Sequence, residues 1–394
     1  MSLGLRAAVV AAIGLCAIAG APAIAAEFTD SAGRIVPIPD HVSRVMPANT
    51  TAEALIYVLA PKKLAGWTRP VSAGGLPRHA RVPQIGELSG PNPTASAATV
   101  TRLHPDLIID SGKVTPERAA FADQISQATG VPYILIDNSI DRTPTMLRTV
   151  GRVLGVGERG DDLAGSAEHA INALRGRLLI QPPTQRPRVY YARGPLGLET
   201  GLSGSSADAA IEAAGAINVA ASLGTGERAA VTPQQIRDWN PDVIIAEDRA
   251  FYAAAQRNRA WSGLVALRGK KLFLEPSSPF GWIDDPPGVN RLIGFYWLAQ
   301  VLYPGHEEED LRTLMADLYD KFYGIKLTDA QIEGIAKTAG IPPSETPHLA
   351  TLPSLGTAPG GSTGVPGAVN EPGRRGILPS QPPVTTTPSY MLPK

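Results

Sequence analysis

From residue 44 to residue 274, apolar runs of three or four residues alternate with longer stretches of helical periodicity. That alternation predicts βα units with parallel sheets, an α/β fold, rather than an all-β or all-α chain. The strand candidates of the first half are 44–46, 64–67, 107–109 and 133–136, and those of the second half are 188–191, 243–245 and 271–274. Helix starts separate them. Thr50-Thr51-Ala52-Glu53 and Thr232-Pro233-Gln234-Gln235 read as capping boxes, and Thr115-Pro116 as a cap followed by proline at the first helical position. Leu103-His104-Pro105-Asp106-Leu107-Ile108-Ile109 is echoed by Trp239-Asn240-Pro241-Asp242-Val243-Ile244-Ile245, 136 residues later. A repeat of domain size predicts two similar Rossmann-like lobes, each a mostly parallel sheet flanked by helices.

Between the lobes, a stripe of Leu147, Val150 and Leu154 resumes as Leu163, Ala167, Ile171, Leu174 and Leu178 after Gly155-Val156-Gly157. This predicts a long connecting helix over 143–180, with an N-terminal lobe at 27–142 and a C-terminal lobe at 181–340. The ends differ in composition. Residues 1–26 hold Arg6, an uncharged run and small residues before Glu27, the pattern of a cleavable secretory signal, so a periplasmic location is expected. Residues 341–394 contain 12 prolines and 7 glycines in 54 positions, a Pro/Gly-rich tail expected to be disordered.

Equal totals of 36 basic and 36 acidic residues argue against a nucleic-acid partner. The only cysteine, Cys16, lies in the leader, which excludes a disulfide framework and a thiolate metal site in the mature chain. The six histidines, His41, His79, His104, His169, His306 and His348, have no paired metal spacing. Gly194-Pro195-Leu196-Gly197 and Gly201-Leu202-Ser203-Gly204-Ser205 fit neither a nucleotide loop nor a nucleophile elbow. No catalytic residue, resident metal or cofactor is therefore expected. Candidate ligand contacts are the polar and aromatic residues at and beyond strand ends, where open α/β sheets bind ligands. They are Asn49, Thr50, Trp67, Arg69, Glu87 and Ser89 from the first lobe, and Tyr191, Arg193, Phe280 and Trp282 from the second. Aromatic walls with arginines suit a bulky anionic ligand. Hydroxyls of Thr50, Ser89, Thr200 and Ser205 suit a tetrahedral oxyanion.

The chain resembles the periplasmic binding proteins of ATP-driven importers for iron complexes and vitamin B12. The resemblance rests on Phe28-Thr29-Asp30-Ser31-Ala32-Gly33-Arg34, on Ile85-Gly86 before Pro91-Asn92, on both Pro-Asp strand entries, and on Gly215-Ala216-Ile217-Asn218-Val219-Ala220. It implies two α/β lobes joined by a long helix, ligand between them, little motion on binding, a monomer, and delivery to an ABC permease in the inner membrane. The implied ligand is a metal chelate such as a siderophore or haem. Gly197-Leu198-Glu199-Thr200-Gly201 and Pro279-Phe280-Gly281-Trp282 also resemble a branch that includes molybdate and tungstate binders. Metal-inserting chelatases and ligand sensors are the remaining alternatives on this fold. Family members usually carry a docking Glu on each lobe, where this chain has Asn92-Pro93-Thr94 and Gln234.

Overall fold

The computed structural model describes residues 26–70, 82–90, 92–180, 186–258, 261–304 and 311–341. The leader and the tail, apart from Ala26 and Ile341, lie outside them. In the first lobe, β1 (Ala26–Thr29) and β2 (Ile35–Ile38) form an antiparallel hairpin. Buried Asp30 anchors it, accepting from the Arg34 guanidinium at 2.6 Å and from the Leu135 amide at 3.1 Å. The strands β3 (Val45–Pro47), β4 (Leu107–Gly112) and β5 (Tyr133–Asp137) form a parallel sheet in that order, accompanied by α1 (Thr50–Leu59), α2 (Ala97–Leu103) and α3 (Pro116–Thr129). The run 64–67 makes only isolated parallel bridges, Val45 with Leu64 and Trp67 with Gln84, so it flanks the sheet without becoming a full strand.

The connector is two helices, not one rod. The helices α4 (Thr143–Val153) and α5 (Gly157–Ile180) turn at Gly155, whose φ of 68° is left-handed, and pack along each other. Their crossing is close: a Cβ on Gly160 would lie 2.7 Å from the Leu147 carbonyl oxygen, so only glycine fits there. The 24 residues of α5 make a helix of about 36 Å.

The second lobe contains β6 (Arg188–Ala192), β7 (Glu199–Thr200), α6 (Ser206–Ala213), β8 (Ile217–Asn218), β9 (Ala229–Ala230), α7 (Pro233–Trp239), β10 (Val243–Ala246), α8 (Arg249–Ala255), α9 (Val265–Arg268) and β11 (Leu272–Leu274). Its parallel sheet runs β11-β10-β6-β8, and β7 pairs with β9 in a separate antiparallel ribbon. The helices α10 (Arg291–Leu302), α11 (Leu311–Tyr323) and α12 (Asp329–Ala339) complete the described chain.

The sequence repeat is one structural device used twice. His104 and Asn240 end α2 and α7 in the left-handed conformation, with φ of 45° and 41°. The aspartate that follows each proline then fixes the start of the neighbouring strand. Asp106 Oδ2 accepts from the Arg44 amide at 2.8 Å, and Asp242 Oδ2 accepts from the Arg188 amide at 2.9 Å. Two lobes with matched strand register follow from this.

A single apolar cluster runs from α1 through α4 and α5 to β6, α6 and the three C-terminal helices. The division at residue 180 is therefore not clean, since α11 packs on α1 and α10 packs on α5. An aromatic group sits in the cluster. Tyr57 lies 5.7 Å from Trp67, 6.3 Å from Phe280 and 6.5 Å from Tyr323, ring centre to ring centre.

Candidate ligand-binding cleft

A cleft of 1310 Å³ opens between the lobes, larger than the ~300–1,000 Å³ of common small-molecule sites. In a parallel sheet all carboxyl ends point one way, so the loops after β3, β4 and β5 share one rim. The strand ends and the segments that follow them supply Asn49 with Thr50 and Thr51, Ser111 through Thr115, and Asn138 with its neighbours. Across the opening stand Gly204 to Ser206, Glu227 with Arg228, and Asp284 to Pro287.

Three helices begin at this cleft, and each N-cap residue lines it. Asn49 caps α1 by accepting from the Ala52 amide at 2.9 Å, Thr115 caps α3 by accepting from Arg118, and Ser205 caps α6 by accepting from Asp208. The expected Thr50 box does not form. Asn49 takes the cap position, which moves Glu53 one place further along α1 and turns it into the core. The boxes and caps at Thr115 and Thr232 are as the sequence indicates.

The first-lobe floor is a buried polar network around Asp110, a residue 1% exposed. Its carboxylate accepts from Asn49 Nδ2 at 2.7 Å, from the Tyr133 hydroxyl at 2.9 Å, and from the Arg118 guanidinium. Asn49 Nδ2 also reaches the Ser111 carbonyl at 3.1 Å and Ser89 Oγ at 3.3 Å. Burial, and secondarily the Asp110 charge, raise the Tyr133 phenol far above its ordinary value, so it stays a neutral donor. Glu87 folds over the start of α1, where Oε1 accepts from the Thr50 amide at 3.2 Å.

Of the residues expected to contact ligand, Asn49, Thr50, Glu87, Ser89 and Ser205 line this cleft. Arg69 and Arg193 stand one residue back, each held by an aspartate of the lining. Arg69 pairs with Asp285 at 2.8 Å, and Arg193, 3% exposed, pairs with Asp284 and with Glu247. Trp67, Tyr191, Thr200, Phe280 and Trp282 do not line it. Trp67 and Phe280 join the aromatic core with Tyr57, Tyr191 donates to Glu275 at 2.6 Å, Thr200 is fully buried, and Trp282 packs edge-on against Trp297. The expected aromatic walls are thus core. Burying such large apolar faces between the lobes is worth more than leaving them wet in an open cleft.

The sequence reading missed Ser111, Arg118, Asn138, Arg228, Asp284 and Arg291. A signal existed for Ser111, since Asp110-Ser111-Gly112 ends an otherwise apolar strand. Asn138, Arg228 and Asp284 sit on loops, Arg118 in the first turn of α3 and Arg291 at the start of α10. Lys113 and Arg228 stand on opposite rims, exposed and in no ion pair among the described residues. Buried Arg291 donates to the Asn138 carbonyl, while Asn138 donates to the Pro287 carbonyl at 2.9 Å, which ties the second-lobe loop to the first lobe. No described group of three or more His, Cys, Asp or Glu side chains is arranged to hold a metal ion, and no described helix is long and apolar enough to cross a membrane. At the positions where docking carboxylates are usual, Thr94 Oγ1 accepts from the Glu87 amide, while exposed Gln234 bonds to Asp238 one turn on.

Two buried carboxyls make stability depend on pH. Burial pushes Glu53 from 4.5 up to about 7, opposed more weakly by its bonds from Thr68, and burial likewise lifts Glu275 to about 7. Between 4.5 and 7 the folded chain holds protons that the unfolded chain has lost, so stability falls as pH rises through that window. The loss is roughly 3 kcal/mol per group at most. Melting temperature should therefore drop from pH 5 to pH 8, and Glu53→Gln should flatten the slope. A calorimetric series in which the variant keeps the wild-type slope would remove Glu53 as a cause.

Comparison with known proteins gives the same architecture. Residues 89–279 match the family model described as periplasmic binding protein. The molybdate-binding protein MolA of Haemophilus influenzae is 27% identical over 328 residues, 75% of this chain and 90% of that protein. Its solved structure, bound to molybdate, superposes with a TM-score of 0.63 at 25% identity, covering 77% of this chain and 99% of that one. An ABC transporter solute binding protein from Sulfurospirillum deleyianum superposes with a TM-score of 0.71 at 26% identity, covering 79% and 99%. The TroA-like periplasmic binding protein FepB from Veillonella parvula, at 20% identity and TM-score 0.60 over 77% and 97%, shares the fold.

Proposed function

We propose, from the premise that a chain similar to the periplasmic binding proteins of ABC importers binds a small solute, that this one carries a tetrahedral oxyanion of the molybdate class to its permease. The observation that carries the reading is the convergence of three N-capped helix starts, at Asn49, Thr115 and Ser205, on one cleft from both lobes. Helix N-termini present backbone donors and the positive end of the dipole, which suit an anion with no proton to give. Lys113 and Arg228 at the rims add attraction over a Debye length of ~8 Å. The withdrawal of the aromatic residues into the core removes the stacking surface that a haem or a planar chelate would use. The molybdate-binding relative supports the same class.

A metal chelate is the second reading, favoured by one observation: 1310 Å³ is far more room than an oxyanion fills. A thermal-shift panel separates the two. Molybdate or tungstate at ~100 Kd should stabilise the protein by ~2.7 kcal/mol, while ferric hydroxamate and haem leave the melt unmoved. The reverse pattern would replace the oxyanion by the chelate.

A further inference from the structure

Ser111 is the unexplained polar group of the cleft. It lies near the end of β4, lines the opening and is 1% exposed, yet its Oγ has no hydrogen-bond partner among the described residues. Buried hydroxyls are nearly always satisfied. Side chains alternate along a strand, so Ser111 falls on the face of Leu107 and Ile109, which α1 covers, while Asp110 points to the opposite face with Tyr133. Asn49, the cap of α1, donates to the Ser111 carbonyl at 3.1 Å, which sets this residue against the start of that helix. The position is thus a buried hydroxyl beside a helix N-terminus, inside the cleft.

We propose that Ser111 Oγ donates a hydrogen bond to the bound anion, and that the hydroxyls of Thr50 and Thr51 in the first turn of α1 form the rest of this first-lobe subsite, the Thr50 amide being held by Glu87. The inference rests on the oxyanion reading above and adds the residue that seats the ligand. The chemistry fits an acceptor-only anion. The serine hydroxyl rotates freely to donate, and Asn49 Oδ1, the nearby acceptor that could compete for it, already takes the Ala52 amide at 2.9 Å. In the ligand-free protein the same hydroxyl is desolvated without return, so removing it should not weaken the fold. Affinity and stability then move in opposite directions on truncation, which no purely structural serine would do.

The test is calorimetric titration of sodium molybdate into wild type, Ser111→Ala and Ser111→Cys, with a ligand-free melt of each. Wild type should bind, and alanine should bind roughly ten- to a hundredfold more weakly, the equivalent of losing one hydrogen bond to a charged group. Cysteine, a weak donor of similar size, should fall with alanine. The ligand-free alanine melt should equal or exceed that of wild type. Unchanged affinity in a folded alanine variant overturns the inference and leaves the oxyanion reading standing. A lower ligand-free melt shared by both variants, with affinity falling in step, assigns Ser111 a structural role and overturns it as well. Wild type that binds ferric hydroxamate but not molybdate overturns the oxyanion reading and this subsite together.

Discussion

Replacing Asp110 by alanine is expected to cost about 3–5 kcal/mol of stability and to abolish measurable ligand binding. The carboxylate takes hydrogen bonds from Asn49, Tyr133 and Arg118, and its removal leaves a phenol and a guanidinium facing a buried hole. The loss falls chiefly on Tyr133, fully buried and left without an acceptor, and less on Arg118, whose side chain is 27% exposed and regains part of its hydration. Function follows from the same geometry. Asn49 caps the helix whose start lines the cleft, and without Asp110 its amide loses the acceptor at 2.7 Å that fixes its orientation. Asp110→Asn, which keeps the shape and one acceptor oxygen, should lie between the two. Urea denaturation with calorimetry on the same samples measures both effects. A loss of under ~1 kcal/mol for alanine would mean the floor is held by packing rather than by this network.

Gly294→Ala should be the most damaging of the glycine substitutions in the helices, although helix propensity alone would favour it by ~1 kcal/mol. Gly294 lies in the first turn of α10, and a Cβ there would fall on the carbonyl of Trp282. That atom is backbone and cannot swing aside. Its loop is also held by Asn290, which donates to the Gly281 carbonyl at 3.0 Å. Overpacking of this kind costs about 3 kcal/mol, so sterics outweigh propensity. Gly165, exposed in α5 with open space around it, is the control: alanine there should gain up to ~1 kcal/mol. Equal melting shifts for the two variants would show that α10 can slide away from the 281–290 loop.

The first-lobe half of the cleft was legible because it obeys a local rule. Asn49 and Thr50 follow β3 directly, so identifying the strand sufficed to find them. The second lobe breaks that rule. Arg193, Glu247 and Glu275 follow β6, β10 and β11, but Arg193 pairs with Glu247 and Asp284, and buried Glu275 takes the Tyr191 hydroxyl. The surface they would have formed is supplied instead by Arg228 and the 284–287 segment, whose positions depend on contacts such as Arg69 with Asp285, 216 residues apart in sequence. No periodicity encodes such a contact. The aromatic residues were ambiguous for a different reason, since Trp67 and Phe280 sit in runs too short to carry a period, and core and wall positions look alike there. The connector was read as one helix because apolar residues at helical spacing resume after Gly155-Val156-Gly157. What the stripe does not contain is the reversal at Gly155 and the Gly160 contact that lets α4 lie back on α5.

The aromatic group shared by the lobes limits how a transporter could tell a loaded molecule from an empty one. Tyr57 and Trp67 on one side and Phe280 and Tyr323 on the other would have to part before the lobes could swing widely. At ~1.5–3 kcal/mol for each exposed large side chain, four of them put a wide-open form roughly 6–12 kcal/mol uphill. A hinge that stiff carries little message. Arrival of the dianion proposed above would instead change the electric potential at the mouth, where Lys113 and Arg228 line the cleft. Occupancy would then be announced by charge felt within a few ångströms of the opening, and a docking partner would need its own sensing groups close against those rims rather than a grip on the outer flanks.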